Sequence, residues 1–251
     1  MSRTYEALKK AEAERLRAGQ AGPRVDGRRA PAVPWEADGE AHIQYERIRV
    51  WVTNPTARAT RVKTLMVVAC HPESGTTTTA TLLAASLAEG KRSRVLLVDA
   101  NFRTPSLDLL FGVRNKTGLT DLLSGEGADD HGIQPTSRDN LFVLPTGRIA
   151  TCPVDVFDRE AIARFTEDLK SRFDFVVFDA APVLDFPDAC ALAPYVDGTL
   201  LVVEADKTSV ADAKKAKREL ERAGACLIGV VLNRHREYTP RLFRGLLGRT
   251  N

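Results

Sequence analysis

Thr64-Leu-Met-Val-Val-Ala69, then Pro72-Glu73-Ser74-Gly75-Thr76-Thr77-Thr78, then Ala80 to Leu87 decide the fold. The first stretch is apolar and of buried-strand length, and the last is rich in Ala and Leu, as a buried helix would be. Between them lies a phosphate-loop pattern, G-x-x-x-x-G-K-[ST], with one change. In that pattern small residues let backbone N–H groups wrap phosphates, a lysine reaches the β and γ oxygens, and a hydroxyl holds Mg²⁺. Gly75 keeps the second glycine and Thr77 offers the hydroxyl, but Thr76 fills the lysine position. Strand, tight turn and helix N-terminus together form an anion site. The competing interpretation is an ordinary threonine-capped helix. Taken as a phosphate loop, the stretch describes a nucleotide-handling protein whose chemistry is weakened or abandoned.

Two further apolar runs end in aspartate: Val95-Leu-Leu-Val-Asp99 and Phe175-Val-Val-Phe-Asp179. In open α/β sheets ligands collect at the carboxyl ends of strands, where both acids would lie. A carboxylate there can hold Mg²⁺ or take a proton from an attacking hydroxyl. One such aspartate would be read as a helix cap. Two downstream of a phosphate-loop turn favour a metal and nucleotide site, with Asp99 and Asp179 as vestigial catalytic acids.

Strand-like runs fall near 64–70, 94–98, 141–144, 174–179, 198–204 and 226–232. Helical patterns separate several of them: Phe157, Ile162, Phe165 and Leu169 share one face, and Val210, Ala213, Ala216 and Leu220 another. This alternation predicts an α/β, P-loop NTPase-like fold, a mostly parallel sheet covered by helices on both faces. The 251 residues, 43% of them hydrophobic, suffice for one such core with short tails. The expected organisation is an N-terminal helix (4–17) and flexible linker (18–39), a folded domain at 40–235, and a basic tail at 236–251.

The motifs, in this order, resemble the bacterial tyrosine kinases of capsule and exopolysaccharide biosynthesis, built on the fold of the septum-site and partition ATPases. The resemblance runs from about residue 40 to 235. It rests on Val95-Leu-Leu-Val-Asp-Ala-Asn-Phe-Arg-Thr-Pro-Ser-Leu107, Leu110-Phe-Gly112, Gly118-Leu-Thr-Asp-Leu-Leu-Ser-Gly125, Leu144-Pro-Thr-Gly147, Phe173-Asp-Phe-Val-Val-Phe-Asp-Ala-Ala-Pro182 and Gly229-Val-Val-Leu-Asn233. It implies nucleotide contacts at Gly75, Thr76, Thr77, Thr78, Arg103 and Asn233, the last facing adenine, and Mg²⁺ on Thr77, Asp99 and Asp179. It also implies ATP or ADP with Mg²⁺ as cofactors, held weakly or not at all.

The departures are as pointed as the matches. The family loop reads Pro-Gly-Glu-Gly-Lys-Ser, so Glu73 replaces glycine, Ser74 replaces glutamate and Thr76 replaces lysine. Asn101 replaces the second acid of an Asp-x-Asp-x-Arg motif, and an amide cannot transfer the proton. A Glu-x-x-Arg-x-x-Arg oligomer element falls on Ile43, Glu46 and Arg49, keeping only its last member. The C-terminal tyrosine cluster is missing: of four tyrosines only Tyr238 follows the last strand. Losing the lysine removes a charge-assisted contact of roughly 1.5–3 kcal/mol, or about ten- to a hundredfold in affinity. Catalysis loses several powers of ten more. The implied protein is a pseudokinase acting on an inner-membrane chain-length or co-polymerase protein, at the inner face of that membrane, with a degraded homo-oligomer motif. The alternatives are an active tyrosine kinase or ATPase of the same pathway and a partition-type positioning ATPase.

Net charge is +3, with +4 in residues 1–30 and +4 in 234–251, so the residues between carry −5. Basic ends on an acidic middle suit lipid, an acidic partner or plain solvation; no nucleic-acid partner is expected. Charges interrupt residues 1–20, so no signal peptide is expected, and no apolar run reaches transmembrane length; the dispersed cysteines fit a reduced cytoplasm. The dispersed Cys70, Cys152, Cys190 and Cys226 form neither a C-x-x-C zinc pattern nor a disulfide framework.

Overall fold

The computed structural model describes residues 24–25, 28–29, 39–54, 62–89, 93–125, 132–148 and 158–235. The N-terminal helix expected at 4–17, the basic tail at 236–251 and Tyr238 lie outside these residues. Within the segment expected to be a flexible linker, β1 (Arg24–Val25) and β2 (Arg28–Arg29) pair antiparallel.

The other seven strands form one sheet. In chain order they are β3 (Thr64–Ala69), β4 (Val95–Ala100), β5 (Gln134–Pro135), β6 (Leu141–Leu144), β7 (Phe175–Ala180), β8 (Gly198–Glu204) and β9 (Leu227–Asn233), and across the sheet they run β5-β6-β4-β7-β3-β8-β9. Every pairing is parallel except the short β5–β6 edge. The six expected strands are all present in this sheet; the two-residue β5 was unforeseen, as were β1 and β2. Helices α1 (Gly39–Thr53), α2 (Thr76–Ala88), α3 (Leu107–Phe111), α4 (Leu119–Leu123), α5 (Arg159–Arg172), α6 (Asp188–Leu192) and α7 (Val210–Arg222) supply the outer layers.

Period-two alternation divides the interior in two. Met66, Val68, Leu96, Val98, Val176 and Phe178 face a core closed by Leu119, Ile162, Leu169, Ala216 and Leu220. Leu65, Val67, Val95, Leu97, Phe175 and Val177 face the other, closed by Val52, Leu83, Leu87 and Leu107. β3, β4 and β7 are buried along their whole length because helices cover both faces. Their apolar runs break only at the carboxyl ends, where Asp99 and Asp179 lie side by side in register. The loop after β7 folds back onto the end of β3, with the Val183 and Leu184 N–H groups donating to the Ala69 and Cys70 carbonyls at 3.0 and 3.2 Å.

Candidate functional site

The turn from β3 into α2 starts the helix at Thr76, four residues before its apolar part. Gly75 is the N-cap in the left-handed region (φ 89°) and offers no side-chain cap. The first intrahelical bond is Thr79 N–H to the Gly75 carbonyl at 2.9 Å. The N–H groups of Thr76, Thr77 and Thr78 precede it, so helix geometry gives them no intrahelical acceptor. These amides at the positive end of a 13-residue helix are the donors an anion needs.

The loop is braced from β9. Asn233 Nδ2 donates to the Ser74 carbonyl at 2.8 Å, and its Oδ1 accepts from the Arg234 N–H at 2.9 Å. A Cβ on Gly75 would lie 2.1 Å from that Nδ2. Glycine is thus required here both by φ and by the close approach of Asn233. Asn233, for which an adenine contact was expected, has its amide engaged on the loop. Ser74, buried, donates its hydroxyl to the His71 carbonyl at 2.9 Å. Glu73 keeps a left-handed φ of 59° although it carries a side chain. His71 lies between two carboxylates, with Nδ1 3.1 Å from Asp185 and Nε2 3.7 Å from Asp212.

The two strand-end acids are both buried, at 1% and 0% exposure. Asp99 Oδ2 accepts from the N–H groups of Ser106 and Leu107 at 3.0 Å each, and Oδ1 from that of Asn101 at 3.2 Å. Burial pushes its carboxyl up to about 7, against the pull of these backbone donors and with a further push from Asp108. Neither oxygen of Asp179 receives a hydrogen bond of ordinary geometry, although the Thr77 hydroxyl lies close enough to act on it. Burial foremost, then the charge of Asp99, hold its carboxyl well above the ordinary range, and the hydroxyl of Thr77 opposes them.

Other motif positions serve the fold locally. Asn101 closes a turn, with Nδ2 donating to Thr104 Oγ1 at 3.0 Å and Oδ1 accepting from Thr104 N–H at 3.2 Å. Arg103 is bidentate on buried Asp188, Nε to Oδ2 at 2.9 Å and an Nη to Oδ1 at 3.1 Å, and its guanidinium stacks 4.7 Å over the Phe186 ring. That fork fixes Arg103 on the first residue of α6. Sequence reasoning missed Asp188, 85 positions away, which only tertiary contact reveals.

An orphaned buried carboxylate beside a threonine hydroxyl suits a hard divalent cation, which takes oxygen ligands. Asp179 and Thr77 would hold Mg²⁺, and the amides of Thr76–Thr78 would receive phosphate. Asp99, committed to backbone donors, would act through the field it exerts on Asp179. Bound Mg²⁺ would screen phosphate charge and draw the proton from Asp179.

Fold and loop thus define a protein of the P-loop NTPase-like class. The sequence matches the AAA_31 family, an AAA domain, over residues 63–221. It is 32% identical over 183 residues to the tyrosine-protein kinase CpsD of Streptococcus pneumoniae, covering 72% of this chain and 80% of that one. The chimerical protein CapA2B2 superimposes with a TM-score of 0.72 at 28% identity, over 78% of this chain and 85% of that one. The septum site-determining protein MinD of Pyrococcus horikoshii, solved with Mg-ADP, does so at 0.58 and 25% identity, over 73% and 76%. The chain belongs to the bacterial tyrosine-protein kinase family of capsule and exopolysaccharide biosynthesis.

Proposed function

We propose that this chain is a pseudokinase of that family, a cytoplasmic regulator of capsule or exopolysaccharide assembly and export. It would work through an inner-membrane co-polymerase that recruits it to the membrane face. The observation that carries the reading is Thr76 at the start of α2, in the position of the phosphate-loop lysine. Arg103, the cation of the second motif, is held by Asp188 and is a poor replacement. Arg49, the surviving member of the oligomer element, pairs with Glu46 at 3.0 Å and donates to the Ser86 carbonyl at 3.1 Å, so it is turned onto its own fold. Among the described residues no helix is long and apolar enough to cross a membrane.

The orphaned Asp179 favours one refinement: Mg·ADP or Mg·ATP still binds, weakly, as a ligand rather than a substrate. MinD, its neighbour in fold, is the protein solved with Mg-ADP. The deciding experiment incubates the full chain with labelled ATP and Mg²⁺, with and without the cytoplasmic segment of the co-polymerase. No phosphotyrosine is expected. Thr76→Lys should tighten ADP binding by about tenfold or more without restoring transfer, because Asn101 remains. Robust phosphotyrosine that vanishes in Asp179→Ala would overturn the proposal and establish an active kinase.

A further inference from the structure

At the far end of α2 from the phosphate loop, three metal-ligating side chains converge. His42 and Glu46 stand four residues apart on α1, a spacing that puts both on one helix face. Glu89 is the C-cap of α2. His42 Nε2 is 3.9 Å from Glu46 Oε1 and 3.8 Å from Glu89 Oε2, and the three donor atoms all lie within 4.8 Å of one another. Ligands about 2.0–2.1 Å from a tetrahedral Zn²⁺ are roughly 3.4 Å apart, so each pair near His42 needs to close by only about half an ångström.

The groups around the cluster support the same arrangement. Arg138 pairs with Glu89 Oε1, leaving Oε2 as the oxygen facing His42. Arg49 pairs with Glu46 through Oε1, the same oxygen that faces His42, and is itself anchored on the Ser86 carbonyl, so a bound metal would share that oxygen with the guanidinium. Carboxylates oriented by such outer hydrogen bonds are typical of metal ligands. A second, independent sign comes from Ser86. It lines the small cavity that His42 and Glu89 also line, is only 3% exposed, and its hydroxyl has no hydrogen-bond partner. Water held by a metal at the three donors would give that hydroxyl its missing partner.

We propose that His42, Glu46 and Glu89 form a divalent transition-metal site, with Zn²⁺ the cation best suited to one imidazole and two carboxylates. The fourth position is a water facing Ser86. The metal would clasp the first turns of α1 to the end of α2, the helix that carries the phosphate loop at its other end. Two guanidiniums on the ligand carboxylates weaken the site, which places it in the micromolar range rather than the far tighter range of structural zinc.

The test is calorimetric titration of the chelator-stripped full chain with Zn²⁺ alone, repeated with Co²⁺ while following visible absorption. One equivalent should bind, raising Tm and giving the intense bands of a four-coordinate Co²⁺ centre. His42→Ala should abolish the bands, and Glu46→Gln and Glu89→Gln should each weaken Zn²⁺ binding at least tenfold. His42 and Glu46 are half-exposed, so the metal-free Tm of their variants should match wild type. Asp179→Asn should leave the titration unchanged, since the magnesium candidate lies elsewhere. Failure of wild type to bind Zn²⁺, or binding that survives both His42→Ala and Glu89→Gln, would overturn the site.

Discussion

Asp99 and Asp179 end neighbouring parallel strands, in register, after near-identical apolar runs, yet their surroundings are opposite. Asp99 receives three backbone N–H groups, two of them where the chain enters α3. Asp179 receives none. The same residue at the same place in a β-strand is a helix-capping anchor in one strand and an unfilled ligand position in the other. The fold needs the first carboxylate. The second burdens the fold, and such a burden persists where binding offsets it.

The largest effect expected from this contrast is on stability. Asp99→Ala strands buried N–H groups and should destabilise by about 3 kcal/mol, lowering Tm on the order of 10 °C. Asp179→Ala, measured with a chelator present, should be neutral or stabilising. Thermal melts of the two variants side by side would break the comparison if they fell together. They also decide which acid is fit for functional work: loss of export in an Asp99 variant would report folding, whereas loss in an Asp179 variant would report the site.

A smaller effect lies in pH. Both acids hold a proton in the folded state at pH values where the unfolded chain, with carboxyls near 4, has released it. The folded protein therefore binds more protons, and stability falls as pH rises. For Asp99 that loss runs from about 4 up to its folded value of about 7; for Asp179 the direction is the same. Asp179→Asn should remove one share of the slope, raising Tm by a few degrees at pH 8 and by little at pH 5. Mg²⁺ with ADP should raise the wild-type Tm at pH 8 and leave that of the variant unmoved. Parallel Tm curves of wild type and variant across pH would mean that Asp179 ionises without penalty.

The smallest effect concerns the loop that faces Asp179. Glu73 holds a left-handed φ where the family pattern has glycine. Removing its Cβ relieves backbone strain while loosening the unfolded chain, so Glu73→Gly should stabilise by a net ~0.5–1 kcal/mol. Chemical denaturation would read it. A destabilised variant would show that the glutamate side chain makes a contact that outweighs the strain.

Much of this was legible beforehand. Parallel strands covered on both faces must be apolar throughout, so β3, β4 and β7 announce themselves in Leu65–Val68, Val95–Val98 and Phe175–Phe178. The start of α2 was less legible, because Thr76–Thr79 has no apolar stripe and threonine has low helix propensity; Gly75 and the neighbouring backbone set it. β5 was invisible, as two residues carry no period. Gly75, Thr77, Asp99 and Asp179 could be singled out from the motifs, and the fold brings them to the same end of the sheet, but their differing surroundings were not written there.

Sequence by itself determined the six parallel strands in their chain order, the phosphate-loop turn with threonine in place of lysine, and two acids at strand ends. These follow from local periodicity and residue type, which neighbours in the chain define. Only the tertiary structure decided that Asp99 is satisfied and Asp179 is not, that Arg103 belongs to Asp188, and that Asn233 braces Ser74 and requires Gly75. Each of those depends on which donor replaces water around a buried group, and the donors come from segments up to 159 positions away.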